Sequence, residues 1–145
     1  MQKVIYFFIV FFLTNCINKD SLKPILPSHL LHSNSSKVWV LNQHILNKNE
    51  VSPSLRENKK ALILFDNLEF IEQELIHLGS NIGRTGQYSL ALTENSDTIF
   101  NLFYSDSKSF IKYKVKYISV KELTLLKSES DSSEVLFYHT LSKRH

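Results

Sequence analysis

Few residues in this 145-residue chain have a type and spacing that could do chemistry. Cys16 is the only cysteine, so no intramolecular disulfide can form and thiol chemistry is confined to that position. His29 and His32 stand three apart, a spacing that can put two imidazoles on one helical face as a metal site would. No neighbouring cysteine or acidic cluster completes a ligand set, and two solvated loop histidines are the simpler reading. Trp39, Tyr88, Tyr113, Tyr117 and Tyr138 carry rings and hydrogen-bonding groups that could line a small-molecule cavity. The same rings at strand spacing equally make a core, and Trp39 reads first as a packing anchor at one barrel end. Lys112, Lys114 and Lys116 form a basic stripe that could meet anionic headgroups or an acidic partner, or simply face water and discourage edge pairing. His139 alternates with Phe137 and Leu141 and reads as a core or rim histidine rather than a general base. No phosphate-cradling glycine loop, HExxH pattern or GxSxG elbow occurs, so catalysis, a metal and a cofactor are all unexpected.

The elements that must position these residues follow from composition and period. With 43% hydrophobic and 12% aromatic residues the chain is too apolar for a wholly disordered protein, and its length suits one modest domain. Seventeen Lys and Arg against 14 Asp and Glu are too balanced to suggest a nucleic-acid partner. Met1-Gln2-Lys3 precedes an unbroken apolar run from Val4 to Leu13. That run is half the roughly 20 residues a membrane-spanning helix needs, and it reads as a signal peptide over residues 1–15.

Leu13-Thr14-Asn15-Cys16 resembles the lipobox of bacterial lipoproteins, with an aliphatic residue three before the cysteine. The resemblance implies cleavage between Asn15 and Cys16, a diacylglyceryl group on the Cys16 thiol and, usually, an acylated (for example palmitoylated) new amino group. Each buried methylene contributes about 0.8 kcal/mol, so two or three chains hold a protein on a membrane that it does not span. Ile17, in place of an aspartate after the cysteine, implies by the same resemblance the outer membrane, at its periplasmic face or at the cell surface.

Residues 16–36 read as lipidated cysteine and tether, with Pro24, Pro27 and a Ser/Asn cluster breaking any period, while Ile25, Leu26, Leu30 and Leu31 are more apolar than a linker needs and could lie along the domain or a partner. From Lys37 the period changes to two. Strands are predicted over Lys37 to Ile45 and Ala61 to Phe65, then around Tyr88-Leu90-Leu92, Phe100-Leu102-Tyr104, Ile111-Tyr113-Val115-Tyr117, Leu123-Leu125 and Val135-Phe137-His139. Asn47 to Lys60 reads as a long connection. Leu68, Ile71, Leu75 and Leu78 recur at helical spacing, yet the Asp66-Asn67 turn and the β neighbours favour a strand there. About eight strands joined mostly by short turns predict an all-β, small antiparallel up-and-down barrel over residues 37–142.

Lys37-Val38-Trp39, Leu64-Phe65-Asp66, the strand Gly86-Gln87-Tyr88-Ser89-Leu90, the segment from Tyr117 to Leu125 and the closing Phe137-Tyr138 resemble the lipocalin-like domains of small Bacteroidetes lipoproteins. Members of that family often have a glycine turn where this chain has Asp66-Asn67-Leu68, and Trp in place of Tyr88. The resemblance implies a barrel able to bind an apolar small molecule. Two functions are therefore expected of the anchored barrel: a non-catalytic interaction or accessory module with an envelope protein partner or, alternatively, a carrier of a small apolar ligand. Its membrane contact is through the N-terminal lipid.

Overall fold

Alternating side chains, turn residues at regular intervals and a short helix before the first strand produce the architecture of the protein, which a computed structural model describes over residues 27–53, 55–129 and 132–141. The expected signal peptide, Cys16 and the first part of the expected tether lie outside the described residues. Helix α1 (Pro27–His32) precedes strands β1 (Ser36–Leu46), β2 (Asn49–Glu50), β3 (Lys60–Phe65), β4 (Glu69–Glu74), β5 (Arg84–Leu92), β6 (Thr98–Tyr104), β7 (Phe110–Ile118), β8 (Glu122–Glu129) and β9 (Ser132–Thr140). From β3 to β9 each strand pairs antiparallel with the next. The long β1 pairs with β3 through its first half and with β9 along most of its length. The result is a closed eight-stranded up-and-down barrel with the two-residue β2 added beside the end of β1. Closure leaves no long edge exposed to pair with another chain.

The connections follow from local chemistry. Asn47 and Lys48 adopt φ of 50° and 69°, the left-handed pair of a tight hairpin, so the expected long connection after β1 begins with the hairpin to β2. Leu68, at φ 68°, closes a three-residue turn in which its N–H donates to Phe65 O, and the Asn67 side chain accepts the Glu69 N–H. This turn aims residues 69–74 along β3, so they form the strand favoured above. After β4, Leu75–His77 make a single 3-10 turn, tied back to β4 by Gln73 Nε2 donating to His77 O at 2.8 Å. The helical spacing of Leu68, Ile71, Leu75 and Leu78 is thus overridden by ladder partners available on both sides.

Two features correct the sequence reading. Residues 27–36, expected as tether, belong to the barrel: Leu31 on α1 is completely buried in the core, and the Trp39 indole donates to Leu31 O at 2.9 Å. The helix covers the end of the barrel where β1 begins. His29 and His32 serve the turn after it, His29 Nδ1 lying 2.8 Å from Asn34 Oδ1 and the buried His32 accepting from Asn34 N.

The second correction concerns parity. A bulge between Val115 and Tyr117 in β7 inserts one residue, so Ile111, Tyr113 and Val115 face inward while Tyr117 pairs with the outward Thr124. Val135, Phe137 and His139 likewise lie on the outer face, since Leu136 and Tyr138 are the buried set of β9. His139 is an exposed surface residue 3.9 Å from Glu122 rather than a core histidine.

Gly86 illustrates how tightly the wall is built. A Cβ there would lie 1.9 Å from Phe103 O and 2.8 Å from Phe70 Cε1. Its two neighbours across the ladders are Phe70 and Tyr104, whose rings meet edge-on, 5.0 Å between centroids, over the space the glycine leaves.

Because α1 is an end cap of the core rather than a linker, Leu31→Ala should destabilise the protein by about 2–5 kcal/mol, as expected for a fully buried leucine. Chemical denaturation of the two proteins measures this, and an unchanged midpoint would return α1 to the tether.

Candidate functional site

The barrel interior divides by depth. At the α1 end Trp39, Leu64, Tyr88, Phe100 and Leu123 fill it. Trp39 is completely buried, with the Lys37 ammonium 4.0 Å from its ring, and the Tyr88 hydroxyl donates to Phe65 O at 2.6 Å. Both rings are therefore structural, with their polar ends satisfied by backbone carbonyls. At the other end the interior opens into a crater of about 170 Å³ to which all eight barrel strands contribute. Leu41, Leu62, Leu102, Ile111, Leu125 and Leu136 are its apolar lining; His44, Lys60, Glu72, Arg84, Tyr104, Tyr113, Glu134 and Tyr138 are its polar groups.

Each polar group arrives by strand position. Lys60, Glu72 and Arg84 occupy inward positions at the crater ends of β3, β4 and β5, and Glu72 and Arg84 are direct ladder partners. His44 arrives by irregularity. A bulge in β1 between Leu41 and Gln43 shifts the register against β9, so His44 instead of Gln43 follows Leu41 on the inner face, opposite Leu136. Its Nε2 then lies 2.8 Å from Glu134 Oε1, close but off the line of a hydrogen bond.

The charges are arranged in linked pairs. Lys60 Nζ is 3.1 Å from Glu72 Oε1, and the Tyr104 hydroxyl donates to the other Glu72 oxygen in a short hydrogen bond. The Arg84 guanidinium lies 3.9 Å over the Tyr104 ring and donates to both oxygens of Asp106 at the rim. Those hydrogen bonds hold the Asp106 carboxyl down at about 2. Burial, reinforced by the nearby carboxylates, raises the phenols of Tyr104, Tyr113 and Tyr138 far above the ordinary value of 10.0; burial, with Asp66, pushes Tyr88 up to about 12. All four stay protonated at neutral pH.

Of the five rings expected as cavity lining, the structure brings two together in the crater, Tyr113 and Tyr138. Trp39 and Tyr88 lie in the filled end. Tyr117 is 53% exposed on the outer face because of the β7 bulge. The sequence reading missed His44, Lys60, Glu72, Arg84 and Glu134. Polar residues at the inward parity of Lys60-Leu62-Leu64, Phe70-Glu72 and Glu134-Leu136-Tyr138 were the available signal, whereas nothing local announced the bulge that turns His44 inward.

Fold and site together define a closed eight-stranded antiparallel barrel, consistent with a lipocalin-like fold, with one end filled and helix-covered and the other opening into a charged crater. Comparison with protein-family models, with curated proteins and with solved structures gives no match.

The raised phenols make a pH prediction. A proton held more tightly in the folded chain contributes stability that is complete below the unfolded value of 10.0 and is lost as pH rises through the folded values. Stability should therefore be flat to about pH 9 and fall steeply above about pH 10. Ultraviolet phenolate absorbance should show Tyr88, Tyr104, Tyr113 and Tyr138 ionising only as the protein unfolds. Reversible titration of all tyrosines near pH 10 in the folded state would contradict the buried placement.

Proposed function

We propose that this protein is a lipid-anchored envelope lipoprotein whose barrel acts as a non-catalytic interaction or accessory module, of the kind found among lipocalin-like Bacteroidetes lipoproteins. The observation that carries the reading is Leu13-Thr14-Asn15-Cys16 at the end of a ten-residue apolar run. Among the described residues no helix is long and apolar enough to cross a membrane. The described chain enters the barrel at its α1-covered end, so an anchor on the N-terminal side fastens that end and leaves the crater at the opposite one.

An interaction role draws support from the outer wall. Phe103 and Phe110 are exposed ladder neighbours, and beside them Phe65 and Ile71 line a groove of about 530 Å³ that crosses β3 to β6. Apolar side chains gathered in this way mark association surfaces more often than isolated ones do. The non-catalytic character draws support from the crater, where the charged groups are mutually paired and the phenols are held protonated. The carrier alternative has weaker support. A crater of about 170 Å³ is smaller than the roughly 300–1,000 Å³ of typical ligand pockets, and its polar lining does not suit an apolar ligand.

Intact-mass analysis of the protein from its native membrane should give a chain beginning at Cys16 with diacylglyceryl and acyl mass added. Cys16→Ser should lose that mass and pass to the soluble fraction; an unmodified chain in both preparations would refute the anchor. A photocrosslinking side chain at Phe110 should trap an envelope protein where one at His139 does not. Equal labelling at both positions would remove the outer-wall patch as the interaction surface.

A further inference from the structure

The crater offers more hydrogen-bonding capacity than the protein itself uses. Tyr113 and Tyr138 are 7% and 8% exposed and line the cavity, and among the described residues neither hydroxyl has a hydrogen-bond partner. His44 Nε2 is also buried without an aligned partner. Buried polar groups are almost always satisfied, so an orphaned imidazole nitrogen beside two phenol hydroxyls that none of the described residues engages calls for a polar occupant of the cavity.

The order of charges says which way that occupant points. The carboxylates are the more covered groups: the side chains of Glu72 and Glu134 are 16% and 24% exposed, against 60% for Lys60 and 43% for Arg84. Both carboxylates act electrostatically on Tyr113 and on Tyr138, so the two free hydroxyls stand within the field of carboxylate groups. Tyr113 and Tyr138 line the same cavity, and their hydroxyl oxygens can accept N–H bonds, whereas the Tyr104 ring is already covered by Arg84. The more exposed groups, Lys60 paired with Glu72 and Arg84 paired with Asp106, keep N–H donors beyond those pairs that can meet an anionic group at the mouth.

We propose that the crater binds a small zwitterion carrying a primary ammonium at one end and an anionic group at the other. The ammonium enters first, against Glu134 and the hydroxyls of Tyr113 and Tyr138, and the anionic end stays between Lys60 and Arg84. A volume of about 170 Å³ corresponds to about six waters at ~30 Å³ each, which limits the buried part of the ligand to a comparable number of heavy atoms. This chemistry belongs equally to a free amino acid and to an aminoalkyl-phosphate lipid headgroup. The proposal is independent of the anchor, because it rests on the barrel interior alone.

Calorimetric titration of the full-length chain in detergent with β-alanine tests it, with ethylamine and propionate each supplying one end of the probe. β-Alanine should bind saturably, at least about tenfold more tightly than either half. Glu134→Gln and Tyr138→Phe should each weaken it by about tenfold or more, with thermal melting showing that both variants are folded. Tyr113→Phe provides the same test should Tyr138→Phe not fold. Absence of saturable binding overturns the proposal, as does propionate binding as well as β-alanine, or affinity indifferent to both substitutions. Phosphatidylethanolamine added to the micelles distinguishes the two sources. Displacement of β-alanine assigns the site to a lipid headgroup and persistence assigns it to a free solute; either supports the zwitterion site.

Discussion

The ladder between β1 and β9 is the constraint on which the rest of the structure depends. Seven residue pairs from Trp39↔Thr140 to Leu46↔Glu134 join the first long strand to the last, and without them the sheet would be open with two exposed edges. The same ladder carries the bulge between Leu41 and Gln43. Below the bulge Trp39 and Leu41 face the core, and above it His44 does. One irregularity in the closing seam therefore separates a hydrocarbon-filled end from a polar one.

Filling and emptiness are divided between the two ends by side-chain size. At the α1 end the Trp39, Tyr88 and Phe100 rings, with Leu31 inserted from the helix, occupy the interior, and their polar atoms reach backbone carbonyls. Toward the crater, leucines give way to long polar side chains whose ends gather near the rim. Gly86 is the point where the two regimes meet, since its missing side chain lets Phe70 and Tyr104 touch edge-on across β5. Tyr104 then presents its hydroxyl to Glu72 and its ring face to Arg84, so a packing device in the wall also orders the crater charges.

Inner and outer surfaces of this barrel carry different chemistry. Outside, Lys114 reaches Asp97 at 2.5 Å, which makes part of the regular lysine stripe a neutralised surface rather than a free basic face. Phe103 and Phe110 interrupt the polar exterior on the neighbouring strands. An anchored barrel with its covered end toward the point of chain entry would present both this apolar patch and the crater to its surroundings.

The strand period and the turn chemistry were legible in the sequence by themselves, because each is a local property. Alternation at Phe100-Leu102-Tyr104 needs no partner to be read, and the Asp66-Asn67 turn outweighed the helical spacing that follows it. Tertiary structure alone decided which side of some strands faces inward, because a bulge is defined only against the register of a neighbour: Tyr117 leaves the core and His44 enters it through irregularities that pairing with β8 and β9 reveals. It likewise made Leu31 a core residue, since a six-residue helix bracketed by loop-like sequence acquires its burial from the barrel end it covers. The crater belongs to this second kind, its charged residues being scattered between His44 and Glu134 in sequence and brought within contact only when the sheet closes.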